Sequence, residues 1–159
     1  FRSTTSGVFK DGAEAVNAFL AESQFADTSV QHILSPSASK DAGLGGRNTT
    51  SVKDCGELLS RIYKGECVSK EASEAMLNLL LNQQVTTKIP SGISASVEIA
   101  NKTGETDTDQ HDIAIVYGEK TTYILCVMSE NCKSGDAVSH IRDISGIVYN
   151  YLNMRLDQD

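Results

Sequence analysis

The chain has 159 residues, 40% of them apolar, which is enough for one domain with a real core. Its 14 basic and 21 acidic residues leave a formal net charge of −7, which argues against nucleic acid or an anionic membrane surface as a partner. No apolar run reaches the length of a membrane span, and Cys55, Cys67, Cys126 and Cys132 show neither CxxC spacing nor paired histidines, which argues against a zinc site.

Residues 1–10 are rich in Ser and Thr and show no clear period. Asp11 can cap a helix over 12–22, with Ala15, Val16, Phe19 and Leu20 as its apolar face. Residues 32–48 read as a long loop, functional or packed as an Ω-loop. Thr50 can cap a second helix over 51–64, with Val52, Cys55, Leu58, Leu59 and Ile62 inward and Gly65 as its stop. Ser69 caps a third helix to about Asn82, with Ala72, Met76, Leu79 and Leu80 inward. Pro90 and Gly92 break the chain before a run of strands.

Three strands are expected at 94–102, 111–117 and 121–129, the last two joined by a tight hairpin at Gly118-Glu119-Lys120. The final strand, Tyr123-Ile124-Leu125-Cys126-Val127-Met128, is apolar in every position, which predicts cover on both faces. A long helix over 136–156 carries Ala137, Ile141, Ile144, Val148 and Leu152 at helical spacing and should lie on the sheet. The expected fold is α/β, a three-stranded antiparallel sheet packed by helices, with no linker dividing residues 1–159. Cys55 and Cys67 flank one helix and would sit beyond disulfide reach if it is straight, and Cys126 lies inside an apolar strand, so free thiols are expected.

The motif that carries chemistry is Lys102-Thr103-Gly104, at the end of a strand-like run and followed by Glu105, a polar turn, two more strands and the long helix. That order resembles the C-terminal half of the penicillin-recognising serine hydrolases, the family of class A β-lactamases and D-alanyl-D-alanine peptidases. Further stretches share the resemblance. Thr49-Thr50-Ser51-Val52-Lys53-Asp54 is similar to the family's capped helix after its Ω-loop, Lys88-Ile89-Pro90-Ser91-Gly92 to the approach to the motif strand, and His111-Asp112-Ile113-Ala114-Ile115-Val116-Tyr117 to a closing strand.

The resemblance implies acyl transfer: a serine attacks a β-lactam or a D-Ala-D-Ala-type cell-wall peptide, and water resolves the acyl-enzyme. By resemblance Lys102 supplies positive charge, Thr103 binds the substrate carboxylate, Gly104 admits the substrate backbone, and the Glu105 backbone N–H forms half of an oxyanion hole. The resemblance also implies a bacterial, extracytoplasmic setting and no cofactor. It places the family's Ser-x-x-Lys and Ser-x-Asn motifs upstream of Phe1, so that this chain corresponds to the C-terminal part of a larger domain and alone lacks the nucleophile. Phe1, in place of a Met, fits a processed or cut end. The partners so implied are the substrate and either the missing N-terminal segment or a second copy, because an apolar outer strand favours association. A non-catalytic relative that binds cell-wall peptide or a protein is the alternative, as is a fragment with a purely structural role.

Other matches carry less. Ser37-Ala38-Ser39-Lys40 fits Ser-x-x-Lys on paper, but Gly43, Gly45 and Gly46 would end any helix there at once. Ser129-Glu130-Asn131 follows Lys102-Thr103-Gly104 when the family's Ser-x-Asn precedes it, and reads as a turn. The family's Ω-loop glutamate has no counterpart between Gln31 and Asn48, where Asp41 is the one acid, which argues against efficient lactam turnover. His32, His111 and His140 are scattered, and His111 reads as a strand-end residue at the rim of the motif turn.

Overall fold

The computed structural model describes residues 6–32 and 46–154, which divide between Asp54 and Cys55 into two compact units. In the first unit α1 runs from Ser6 to Glu22. Asp11 therefore lies inside the helix and does not cap it. The apolar spacing Phe9, Ala13, Val16, Leu20 carries helical periodicity upstream past Gly12. The face chosen from the sequence is also wrong: Val16 and Phe19 are exposed, and Ala13 and Phe25 are the buried residues. Asn17 decides this, because its amide exchanges two 2.8 Å bonds with the Val30 backbone and turns the Ala13 side of the helix inward.

The long loop expected over 32–48 has its described ends drawn together. Ser29 and Thr49 form an antiparallel bridge, Asn48 Oδ1 accepts from the N–H groups of Gln31 and His32, and His32 Nδ1 lies 3.0 Å from the Gly46 carbonyl oxygen. Residues 33–45, including Ser37, Lys40 and Asp41, lie outside the described residues. Asp54, buried in the first turn of α2, accepts from Asp27 N–H and the Thr28 hydroxyl.

The α2 helix spans Val52–Lys64, with Ser51 rather than Thr50 accepting the first-turn N–H of Asp54, and Gly65 ending it at φ +76°. Leu59 and Ile62 are buried as expected, whereas Val52 and Leu58 are exposed. The α3 helix spans Lys70–Leu81 under the expected Ser69 cap, whose hydroxyl oxygen accepts from Ala72 N–H. Leu77, Leu80 and Leu81 turn to the core, and Leu79, expected inward, is 75% exposed.

The sheet has the order β1-β2-β3, all antiparallel, with β1 at Ile99–Glu105, β2 at Gln110–Tyr117 and β3 at Thr122–Met128. The first strand starts later than the sequence predicts and runs on past Gly104. Its partner explains the shift: Glu98 already faces Tyr117, where β2 turns into the hairpin, so residues 94–97 have no strand to pair with. Successive side chains alternate between faces. Ala100, Ile113, Ile115, Ile124 and Cys126 pack with Leu59 on one face, and Ile99, Ala114, Val116, Tyr123, Leu125 and Val127 pack with Ile89 and Ile141 on the other.

The α4 helix, Ser134–Tyr149, continues as a π-helical turn, Asn150–Met154, and covers that second face. Its buried stripe is Ala137, Ile141, Ser145 and Tyr149; Ile144 is exposed. Gly92 lets α4 approach closely, since a Cβ there would fall 2.3 Å from the Arg142 carbonyl oxygen. No residue of β3 is fully buried, so cover on both faces is partial because β3 is an outer strand. No cysteine pair is joined by a disulfide, and burial pushes the half-buried Cys126 thiol up to about 11, with smaller contributions from Cys55 and Asp112.

Candidate functional site

Lys102, Thr103, Gly104 and Glu105 occupy the last four positions of β1, facing Ile113, Asp112, His111 and Gln110 of β2. Hydrogen-bonded and non-bonded pairs alternate along an antiparallel ladder. Tyr117 N–H bonds the Glu98 carbonyl and Thr106 N–H bonds the Asp109 carbonyl, so the Lys102 and Gly104 pairs are bonded to β2. The N–H groups of Thr103 and Glu105 then point to the outer edge of β1, where no further strand stands among the described residues. Lys102 is exposed, and its ammonium curls onto the Thr103 carbonyl, which puts a positive charge on that same edge.

Gly104 has no conformational reason to be glycine, since its φ is not positive. A Cβ there would meet His111 Cδ2 at 3.4 Å, close to ordinary contact. His111 is half-buried against Gly104, with an Nδ1 that is shielded from solvent and bonds no described residue.

Behind this edge lies a buried polar cluster that the sequence analysis did not single out. Lys88 is 1% exposed, and its Nζ donates to the carbonyl oxygens of Gly104 at 3.2 Å and His111 at 3.1 Å. The exposed Glu105 carboxylate approaches the same Nζ at 3.5 Å. Asp112, fully buried, accepts from Ile89 N–H at 2.9 Å and from Asn101 Nδ2 at 3.1 Å. Burial raises the Asp112 carboxyl pKa, opposed by those two bonds and by the Lys88 charge. One signal was present in the sequence: Asp112 shares its strand face with Ala114 and Val116, which places a carboxylate on an inward position.

Ser129, of the Ser-x-Asn look-alike, caps the same end of β2 from the β3 side, donating to the Gln110 carbonyl and accepting from Gln110 N–H, while Asn131 adopts φ +52° in the turn. That is the turn expected from the sequence. Among the described residues no group of three or more His, Cys, Asp or Glu side chains could hold a metal, and no helix is long and apolar enough to cross a membrane.

A family model described as the β-lactamase enzyme family matches residues 10–152. No curated protein matches. Among solved structures, PBP-A superposes with a TM-score of 0.74 at 23% identity, over 87% of this chain and 51% of that one. A β-lactamase from Sphaerobacter thermophilus DSM 20745 gives 0.76 at 21% identity, over 89% and 54%. The TLA-1 extended-spectrum β-lactamase gives 0.75 at 21% identity, over 88% and 54%. The chain thus spans about half the length of the solved proteins it resembles.

Proposed function

The chain belongs to the β-lactamase enzyme family, and from that membership we propose that its β1 edge forms one wall of a serine acyl-transfer site for β-lactams or D-Ala-D-Ala-type cell-wall peptides. The observation that carries the reading is the composition of the open edge. It brings together the Lys102 ammonium and the outward N–H groups of Thr103 and Glu105 beside a glycine that the fold does not demand. A substrate carboxylate is an anion with several lone pairs. Lys102 supplies charge to it and Thr103 a donor, at an edge where an extended peptide can also pair with the strand.

Glu105 N–H would meet the carbonyl oxygen as it gains negative charge during attack. Gly104 leaves room for the substrate backbone. The attacking serine and the lysine that takes its proton are not among these residues. They are supplied by a polypeptide carrying Ser-x-x-Lys, in the extracytoplasmic setting where such substrates occur. The chain alone is therefore inactive on this reading.

Incubation with a fluorescent penicillin, followed by intact-mass measurement, tests the proposal. The chain alone should form no adduct, and an assembly with a Ser-x-x-Lys polypeptide should acquire one on that serine. An adduct on Ser37 of the isolated chain would contradict it. Peptide binding without acylation in either preparation would favour a non-catalytic binding module.

A further inference from the structure

Lys88 is a full positive charge in the interior, and its place in the fold suggests a use. It contacts two backbone carbonyls, and one of them is the carbonyl of the Gly104–Glu105 peptide. In a planar trans peptide the C=O and the N–H point in opposite directions. The Gly104 C=O points to β2 and Lys88, and the Glu105 N–H points to the open edge. A cation on the oxygen draws electron density from the nitrogen, and chained hydrogen bonds strengthen one another in this way.

We infer that Lys88 is a positioning residue: its ammonium fixes and polarises the Gly104–Glu105 peptide so that Glu105 presents a strengthened N–H donor at the outer edge of β1. The assignment of that donor to an oxyanion rests on the function proposed above; the clamp itself does not. Two further features support it. The Lys88 ammonium bridges Gly104 and His111, the cross-strand pair next to the end of the ladder, so it also holds the two strands in register where β1 is about to leave the sheet. Asp112, buried beside it and anchored by Ile89 N–H and Asn101, adds a carboxyl whose ionised form the Lys88 charge favours against the effect of burial, while Glu105 carries the second carboxylate near the cation.

Amide hydrogen exchange of the whole chain, read by NMR, separates polarisation from mere support. Base-catalysed exchange at Glu105 passes through an imidate whose negative charge falls on the Gly104 oxygen, next to Lys88. The cation should accelerate that step, whereas loosening of the structure in a variant would accelerate exchange for a different reason. Lys88→Met should therefore slow exchange at Glu105 by about tenfold or more, and Lys88→Arg should restore the wild-type rate. Unchanged or faster exchange in a folded Lys88→Met chain overturns the inference.

The wild-type chain supplies a second measurement that needs no variant to fold. Thr103 N–H lies on the same edge, but its peptide carbonyl belongs to Lys102, which Lys88 does not touch. Relative to short reference peptides, Glu105 should exchange about tenfold or more faster than Thr103. Equal relative rates overturn the inference. Neither measurement involves acylation. If Glu105 behaves as stated and no adduct forms in the assembled protein, the clamp stands and the functional reading falls.

Discussion

The two outer strands of the sheet flank the same central strand and solve opposite problems. β1 ends in Lys102, Thr103, Gly104 and Glu105, backed by Lys88, Asp112 and Asn101; β3 is Tyr123, Ile124, Leu125, Cys126, Val127 and Met128, backed by Leu59 on one face and Ile141 on the other. An unpaired strand edge is a template for another chain, and charge is a common way to restrict what may pair with it. β1 is charged on its open side and supported by buried polar bonds. β3 is apolar and supported by packing alone. On the function proposed above, recognition of a polar, anionic ligand falls to β1, and we propose β3 as the edge that favours association.

The largest effect that can break this comparison is at Asp112. Replacing it with Ala strips two buried donors, Ile89 N–H and Asn101 Nδ2, of their acceptor. A loss of about 2–4 kcal/mol, from two buried donors left unpaired, is expected in chemical denaturation. A loss below about 1 kcal/mol would show that the buried cluster is incidental to β1.

The same residue sets a pH signature. Its folded pKa is raised above the ordinary 3.8, chiefly by burial, so the folded state holds the proton more tightly than the unfolded chain. Stability contributed by Asp112 is greatest below the ordinary carboxylate range and falls as pH rises through the window between the unfolded and folded values. Asp112→Asn should flatten that part of the stability profile, whatever it does to the absolute value.

A smaller effect, in the opposite direction, is expected at Gly104. Glycine weakens a strand interior, and a Cβ finds near-ordinary contact with His111, so Gly104→Ala should change stability by no more than about 1 kcal/mol and can raise it. Binding of a substrate-like peptide should nevertheless drop. If Ala lowers stability sharply and leaves binding unchanged, the glycine serves the fold and not a ligand.

The smallest effect on stability belongs to β3. Thr122→Lys combined with Met128→Lys charges the ends of that strand outside its packed middle, and should cost within about 0.5 kcal/mol. Concentration-dependent sedimentation should weaken in the same variant. Unaltered association would place the contact elsewhere.

The elements and their order were legible because their signals are local. Ser69 and Gly65 are a cap and a stop that depend on near neighbours, and the hairpin after Tyr117 follows from its turn residues. Faces were less legible. Phe19, Leu79 and Ile144 sit at helical spacing yet point outward, because Asn17, Ser73 and Ser145 take the inward positions through hydrogen bonds to distant backbone or to the preceding turn. Apolar periodicity does not record a polar residue that is satisfied by the backbone.

The site divides in the same way. Lys102, Thr103, Gly104 and Glu105 were singled out because their signature is contiguous. Lys88 and Asn101 were not found, because their partners are 16 residues away at Gly104 and 11 residues away at Asp112. Asp112 could have been inferred from strand alternation alone.

The central claim is that the open edge of β1, and not that of β3, receives the ligand. The most direct test is a titration of the isotope-labelled chain with an acyl-D-Ala-D-Ala peptide, following backbone amides by NMR. Shifts should concentrate at Thr103 and Glu105 and disappear in Lys102→Ala, whose exposed side chain leaves the fold intact. Shifts that fall along Thr122–Met128, or that persist unchanged without the Lys102 ammonium, would contradict the account.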